Sequence, residues 1–118
     1  MRSTLYHYKA IVVSVYDGDT ITVDIDIGLH IWSRKVKIRF ARIDAPEVRG
    51  EERDKGLISR DYLRCLILNK EIIVQTIKDG KGKYGRYIGE IWLKINENEY
   101  LNVNDEMVNK DLAVYKSY

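Results

Sequence analysis

Thr20-Ile21-Thr22-Val23-Asp24-Ile25-Asp26-Ile27 carries the clearest strand pattern in the chain, because apolar and polar residues alternate at every position. Strict alternation predicts a β-strand with one buried face and one solvated face. The Asp17-Gly18 pair just before it is typical of a tight hairpin turn. A β-rich run over residues 9–16 precedes that turn, with Ile11, Val13 and Val15 alternating against Val12, Ser14 and Tyr16. The chain is therefore expected to begin with an antiparallel hairpin.

The rest of the chain adds three strands and two helices to this hairpin. Alternation continues over Val36–Ile43, where Val36, Ile38 and Phe40 share one side. Residues 51–68 predict an amphipathic helix, with Ile58, Tyr62, Cys65 and Leu66 on its apolar face and Cys65 a buried thiol. Strands follow at Glu71–Lys78 and Tyr87–Ile95, and Asn102 with Asp105 three residues on predicts the start of a short second helix. This order predicts one α+β domain over residues 1–118, a closed five-stranded oligonucleotide-binding (OB) barrel capped by a helix.

Composition limits the classes of function. A chain of 118 residues with 45% hydrophobic and 32% charged residues fits a folded soluble domain. The net charge is only +2, so affinity for nucleic acid would have to come from local clusters. One cluster spans residues 34–42 and the other spans residues 78–86. No segment has the apolar length of a membrane span or a signal peptide, so we expect an intracellular protein without membrane contact if the chain is complete, and a secreted one if it was trimmed.

Thiol and imidazole groups offer little for chemistry. The single Cys65 excludes an internal disulfide, and two isolated histidines with one thiol lack zinc-ligand spacing.

Carboxylates are the better candidates for metal ligands. Asp19 precedes one strand and Asp44 ends another, so both can reach the same mouth of a barrel, and two close carboxylates favour a cation between them. Oxygen ligands favour Ca²⁺ or Mg²⁺ over zinc or copper. The alternative is two separate solvated aspartates. Asp24 and Asp26 fit a solvated strand face, and Asp17 fits a turn.

Carboxylates followed by arginines are also the groups that phosphodiester hydrolysis requires. That reaction needs an activated water and cations that stabilise the charge developing on phosphate. Glu47 follows Asp44 by three residues on a loop fixed by Pro46, and could reach such a water. Arg39 and Arg86 can grip phosphate oxygens in pairs, which a lysine cannot do. The simpler alternatives are a solvated loop glutamate and an exposed cationic strand face.

Three segments together resemble the staphylococcal nuclease (thermonuclease-like) family, from about Tyr8 to about Tyr115: residues 17–20, residues 38–47 and residues 83–86, which read Lys83-Tyr84-Gly85-Arg86. The resemblance implies the same barrel fold. It also implies a Ca²⁺ ion, in preference to Mg²⁺, held by Asp19, Asp44 and the backbone carbonyl of Ala45, where the best-known member has threonine. The other implied roles are Glu47 as general base or water-positioning residue, Arg39 and Arg86 on the reacting phosphate, Lys83 and Tyr84 near a flanking phosphate, and Tyr115 as a base-stacking residue, with Tyr118 as a competitor.

The resemblance implies a Ca²⁺-dependent nuclease that cleaves DNA and RNA, prefers single-stranded or frayed substrate and leaves 3′-phosphate ends. A catalytically silent module that binds nucleic acid or protein is the main alternative, and a structural barrel with a metal at its rim is a third. Such silent modules typically lack one or more of the five charged site residues, and all five are present here. The chain departs from the family over Gly28–Lys35 and after the second predicted helix. Whether it is a monomer or a dimer stays open.

Overall fold

The computed structural model describes residues 6–81 and 86–116. Two α-helices, α1 (Arg53–Ile67) and α2 (Val103–Asn109), lie among eight strands, and a 3₁₀ turn over Gly50–Glu52 leads into α1. The strands are β1 (His7–Asp17), β2 (Thr20–Asp26), β3 (Trp32–Phe40), β4 (Ile43–Asp44), β5 (Glu71–Lys81), β6 (Tyr87–Asn96), β7 (Glu99–Asn102) and β8 (Val114–Tyr115). Neither helix within the described residues combines the length and the apolar composition needed to cross a bilayer.

Five strands close into a barrel in the order β3-β2-β1-β5-β6. Neighbours in this order pair antiparallel, and the barrel closes where β3 and β6 pair in parallel, with Arg39 opposite Ile88. The closed five-stranded barrel with two helices confirms the fold predicted from the strand and helix patterns. β7 continues the sheet beyond β6, and β4 pairs with β8 in a separate two-stranded sheet. β7 and β8 were not predicted, and the predicted strand Val36–Ile43 is divided between β3 and β4.

The inward faces of β2 and β3 follow the alternation in the sequence. Ile21, Val23, Ile38 and Phe40 are fully buried, while the register places Thr20 opposite Arg39 at the end of both strands. β1 departs from the predicted alternation because its pairing with β2 shifts between Val12 and Ser14. Such a bulge adds a residue and changes the face that follows, so the buried positions of β1 are Ala10, Val12 and Val15, and Ile11 and Val13 are exposed.

The buried face of α1 differs from the predicted one. The residues that it buries are Gly56, Ser59, Leu63 and Ile67. Ile58 is 62% exposed and Cys65 is exposed, so the prediction of a buried thiol at Cys65 was wrong. Small side chains explain the rotation, because Ser59 is only 1% exposed and its Oγ donates a 2.7 Å hydrogen bond to the carbonyl of Leu112. Small residues, Gly56 and Ser59, let α1 lie close to the neighbouring backbone, where the hydrophobic pattern indicated contact through large apolar side chains.

The first turn of α2 forms hydrogen bonds beside the parallel pairing of β3 and β6. Asn102 caps this helix, since its side chain accepts a hydrogen bond from the N–H of Asp105, as predicted for the start of the second helix. Asn104 is fully buried and its side chain accepts from Ile91 N–H and donates to the carbonyls of Ala41 and Gly89. These bonds join β6 to the residue that follows β3.

Candidate functional site

Asp19 is held rigidly in the turn between β1 and β2. Its side chain is buried, and each of its oxygens has a partner: Oδ1 accepts from the hydroxyl of Thr20 at 3.0 Å, and Oδ2 accepts from the N–H of Ala45 at 2.8 Å. Gly18 makes this turn possible, because a Cβ there would lie 2.8 Å from the Cβ of Ala45 and 2.9 Å from that of Ser59. The sequence at the turn therefore fixes Asp19 against the end of β4.

Arg39 brings the two predicted acidic residues together. Its Nη2 lies 3.3 Å from Oδ2 of Asp19 and 3.2 Å from Oδ1 of Asp44. Its Nη1 donates to the carbonyls of Phe40 and Ile43, at 2.9 and 3.0 Å. The guanidinium is therefore held by four acceptors on the chain, and its side chain is only 13% exposed. The result is a fixed cation with two carboxylates converging on the same nitrogen.

This arrangement offers only oxygen ligands to a metal ion. Asp19 is buried, whereas the Asp44 side chain is 43% exposed and also faces Lys116, whose Nζ lies 3.8 Å from Oδ2. An ionised carboxylate has about four acceptor positions, so the bonds described leave further positions on Asp44. Oxygen donors at a partly open position fit a hard divalent cation that keeps some of its water. Within residues 6–81 and 86–116, no three Asp, Glu, His or Cys side chains group around one ion-sized point, so the fit rests on two carboxylates.

Asp17 belongs to the electrostatics of this site, in addition to forming the turn. One of its oxygens accepts a 3.1 Å hydrogen bond from the N–H of Asp19, the arrangement expected of a turn aspartate. The carboxyl is buried, and burial raises its pKa to about 7. A side-chain hydrogen bond with Asp19 and the charge of Asp19 act in the same direction, whereas the bond from the N–H of Asp19 and the charge of Arg39 lower the pKa. The sequence pattern indicated only the turn. That a second carboxyl would be buried there follows from the packing of Gly18 against α1.

Glu47 lies on the loop that leaves the site, and its position depends on α1. The side chain is exposed, and the backbone of Pro46 and Glu47 packs directly against Gly56. A Cβ on Gly56 would overlap the carbonyl of Glu47 and lie 2.9 Å from that of Pro46. The loop therefore runs along the helix at backbone contact distance. The role of Glu47 toward water stays a prediction, as does that of the Ala45 carbonyl, since the contact that Ala45 makes with Asp19 uses its N–H.

Arg86 lies at the start of the parallel seam, directly before β6. It lines a groove of about 530 Å³ together with Thr20, the residue that follows Asp19, and Lys37 on β3. The groove thus begins beside the acidic site and contains one of the two arginines predicted to hold phosphate. Lys83 and Tyr84, the predicted residues for a flanking phosphate, lie outside the described residues, and so does Tyr118.

Tyr115 lies on β8, opposite Ile43 of β4, and is 56% exposed. Its hydroxyl donates a 2.9 Å hydrogen bond to Asp105, which raises the pKa of Tyr115, and the guanidinium of Arg42 lies 5.8 Å from its ring centre. Arg42 in turn holds Glu90 at 2.6 and 2.8 Å and Asp105 at 3.0 Å, and its pKa is raised by these two partners. Through Arg42 and Asp105 this network ties β8 to α2 and β6, a function that the sequence pattern did not indicate for Arg42.

Comparison of the sequence with known protein families and proteins identifies related chains. The sequence model of the family described as Staphylococcal nuclease homologue matches residues 37–118, more than half of the chain. The chain belongs to this family. The match begins within β3 and includes Arg39, Asp44, Glu47 and Arg86, while Asp19 lies on the hairpin before it.

Several curated relatives carry nuclease names. An uncharacterized endonuclease of Haemophilus influenzae is 32% identical over 108 residues, which cover 91% of this chain and 52% of that protein. The thermonuclease of Staphylococcus hyicus is 28% identical over 105 residues, covering 86% of this chain and 53% of the relative. Endonuclease YhcR of Bacillus subtilis is 30% identical over 118 residues, covering 90% of this chain and 9% of that protein. The chain spans about half the length of the first two relatives.

The nuclease names belong to these relatives, and the comparisons support a nuclease-like function as a proposal for this chain.

Proposed function

We propose that this domain is a Ca²⁺-dependent nuclease that hydrolyses phosphodiester bonds in DNA and RNA. The observation that carries the proposal is the meeting of Asp19 and Asp44 at one nitrogen of Arg39, at 3.3 and 3.2 Å. Two oxygen ligands for a cation and one fixed guanidinium for an anion lie side by side there. A phosphodiester in contact with a divalent cation needs both.

Each residue has a part in this proposal. Asp19 and Asp44, with the carbonyl of Ala45, would hold the ion, which when bound polarises phosphate oxygen and makes a bound water more acidic. Glu47 would position a water or take its proton, since it lies on the loop that follows Asp44. Arg39 is fixed through Nη1 by carbonyls of its own chain, so its Nη2 can neutralise charge on phosphate once the ion takes Asp19 and Asp44. Arg86 would hold the same phosphate from the groove side.

Single-stranded or frayed substrate suits this site. The groups offered are guanidiniums for phosphate and exposed tyrosines for stacking, which contact features shared by all nucleotides. We propose the cleavage that leaves a 3′-phosphate and a 5′-hydroxyl, on the strength of the family resemblance alone.

Cleavage of heat-denatured DNA and of RNA, measured with Ca²⁺, with Mg²⁺ and with chelator, tests the proposal. We expect cleavage with Ca²⁺ that stops with chelator and is lost in Asp19→Asn and Asp44→Asn. Asp24→Asn is a matched control, because Asp24 lies on β2 but faces Arg34, 2.9 Å away on the solvated side. Ca²⁺ should also raise the melting temperature of the wild type and of the control, and should raise that of Asp44→Asn less.

Two outcomes would contradict the proposal. Cleavage that persists in chelator would exclude the metal. Binding of single-stranded DNA without cleavage under any ion would favour the silent binding module instead.

A further inference from the structure

The groove that begins at Arg86 continues away from the acidic site and along α1. One wall is formed by the outer face of the barrel, with Ser14, Tyr16, Thr22 and Lys37, and the opposite wall by Arg60 and Arg64 of α1 together with Val48. Thr20 lies at the end nearest Asp19. The groove therefore connects the proposed cleavage site with a surface of the helix that has no part in the chemistry described above.

The lining is strongly positive. Lys37, Arg60, Arg64 and Arg86 line the groove, and no acidic residue does among residues 6–81 and 86–116. Asp61 is the counter-ion of the two helix arginines: it accepts from Arg60 at 2.9 and 3.1 Å and lies 3.9 Å from Arg64. One carboxylate between two guanidiniums leaves an excess of positive charge on this wall, and Asp61 itself is 61% exposed, outside the lining.

The two arginines are placed to act as a pair. They are four residues apart on a helix, so they project from neighbouring turns of the same face. Arg64 also donates a 3.3 Å hydrogen bond to the carbonyl of Val15, which holds it against the barrel wall. Side chains fixed in this way lose little freedom when they bind an anion.

An aromatic ring lies in the same groove. Tyr16 is 49% exposed, and its hydroxyl accepts a 2.8 Å hydrogen bond from Arg49, so the ring is anchored at its outer end. An exposed anchored ring beside cations is the arrangement on which unpaired bases stack while phosphates follow the positive groove.

We infer that Arg60 and Arg64 form a second phosphate-binding site, with Tyr16 as its stacking surface, for a single-stranded polynucleotide that extends beyond the cleaved bond. The inference depends on the proposed nuclease function, because that function places the reacting phosphate at Arg39 and Arg86. The second site makes affinity depend on substrate length: a long strand can occupy both sites at once, and we expect a trinucleotide, which has only two phosphates, to occupy the cleavage site alone. Neither arginine takes part in hydrolysis.

Binding of fluorescently labelled oligo-deoxythymidylates in chelator, followed by anisotropy against salt concentration, tests the inference. We expect Arg60→Gln/Arg64→Gln to weaken binding of a dodecamer about tenfold or more and to reduce the slope of log affinity against log salt by about 1.4, roughly 0.7 for each lost phosphate contact. Binding of a trinucleotide should not change. Tyr16→Ser should weaken dodecamer binding about fivefold or more through lost stacking, whereas Tyr16→Phe should not.

Two further variants keep the test decisive. Arg60→Lys/Arg64→Lys retains both charges and should retain the salt slope. Lys9→Gln/Lys94→Gln removes the same net charge from exposed positions that do not line the groove, and should leave dodecamer affinity nearly unchanged. An equal loss in this control, or an equal loss for trinucleotide and dodecamer, would overturn the second site.

Cleavage of the trinucleotide in Ca²⁺ distinguishes failure of this inference from failure of the proposed nuclease function. Cleavage by the wild type with no length-dependent loss in Arg60→Gln/Arg64→Gln would overturn the second site and leave the nuclease. A length-dependent loss of binding in Arg60→Gln/Arg64→Gln, together with a wild type that cleaves nothing, would support the second site and overturn the nuclease.

Discussion

Gly56 of α1 touches the backbone of Glu47 so closely that a side chain at residue 56 would overlap the Glu47 carbonyl. The contact joins the helix covering the barrel to the loop that leaves Asp44. Its spacing sets where Glu47 lies relative to the acidic pair. A single glycine thus links the packing of α1 with the geometry of the proposed site.

Gly56→Ala should destabilise the protein and slow cleavage. In an exposed helix this change would stabilise by about 1 kcal/mol, because alanine is the better helix former. Here the added methyl meets backbone atoms that cannot rotate away, and overpacking of this kind costs about 1–3 kcal/mol. Urea denaturation and a cleavage assay measure the two effects. Lys55→Ala, at the exposed neighbouring position, is the control, and a Gly56→Ala protein more stable than wild type would show that the contact yields easily.

Arg39→Lys and Arg86→Lys should each reduce turnover about a hundredfold or more. A lysine keeps the charge but provides no planar fork for two phosphate oxygens, and lost stabilisation of developing charge has effects of this size. Single-turnover cleavage of denatured DNA measures the change, and Arg34→Lys on β3 serves as the control because Arg34 pairs with Asp24 on the solvated side. Full activity in both variants would mean that the phosphate lies elsewhere.

Where the sequence carried a regular period, it predicted both the elements and their faces. The alternation over β2 and the second half of β3 indicated that Ile21, Val23, Ile38 and Phe40 share a face and that Asp19 lies at a strand end, whereas Ile27, expected on the same face, lies beyond β2 and is 53% exposed. The meeting of Asp19 and Asp44 followed from the same reasoning, because strand ends at one barrel mouth lie close together. The structure adds Arg39 as the residue that joins them.

The unpredicted features depend on packing or on distant partners. β4 and β8 have two residues each, too few to show a period. The face of β1 changes at a bulge, and the face of α1 is set by Gly56 and Ser59, small residues that a hydrophobic pattern does not mark as buried. Arg42 and Glu90 are 48 residues apart in the chain, and such a pair leaves no local signal.

Asn104→Leu should lower the free energy of unfolding by about 3 kcal/mol. The fully buried side chain bonds Ile91 N–H at 3.0 Å and the carbonyls of Ala41 and Gly89 at 2.9 and 3.1 Å. The carbonyl of Gly89 still accepts a hydrogen bond from the N–H of Ala41. The substitution therefore leaves the N–H of Ile91 and the carbonyl of Ala41 without their bonds to Asn104, at a cost of about 1–3 kcal/mol each. Urea denaturation measures the loss. Asn109→Leu at the exposed end of α2 is the control, and equal stability of the two variants would contradict the role given to Asn104.

Tyr62→Phe should destabilise the protein at neutral pH, and the difference from wild type should disappear in strong alkali. The hydroxyl of Tyr62 on α1 donates a 2.6 Å hydrogen bond to Glu106 on α2, and this bond raises the pKa of Tyr62 to about 12 from an ordinary value near 10. Because the folded state favours the neutral phenol, the stabilisation is complete below about pH 10 and is lost as pH rises through 12. We expect a difference of about 1 kcal/mol at pH 8, measured by urea denaturation, that shrinks between pH 10 and 12. Tyr100→Phe on β7 is the control, and a difference that stays constant or grows across this range would show that packing of the ring, and not the bond to Glu106, accounts for the effect.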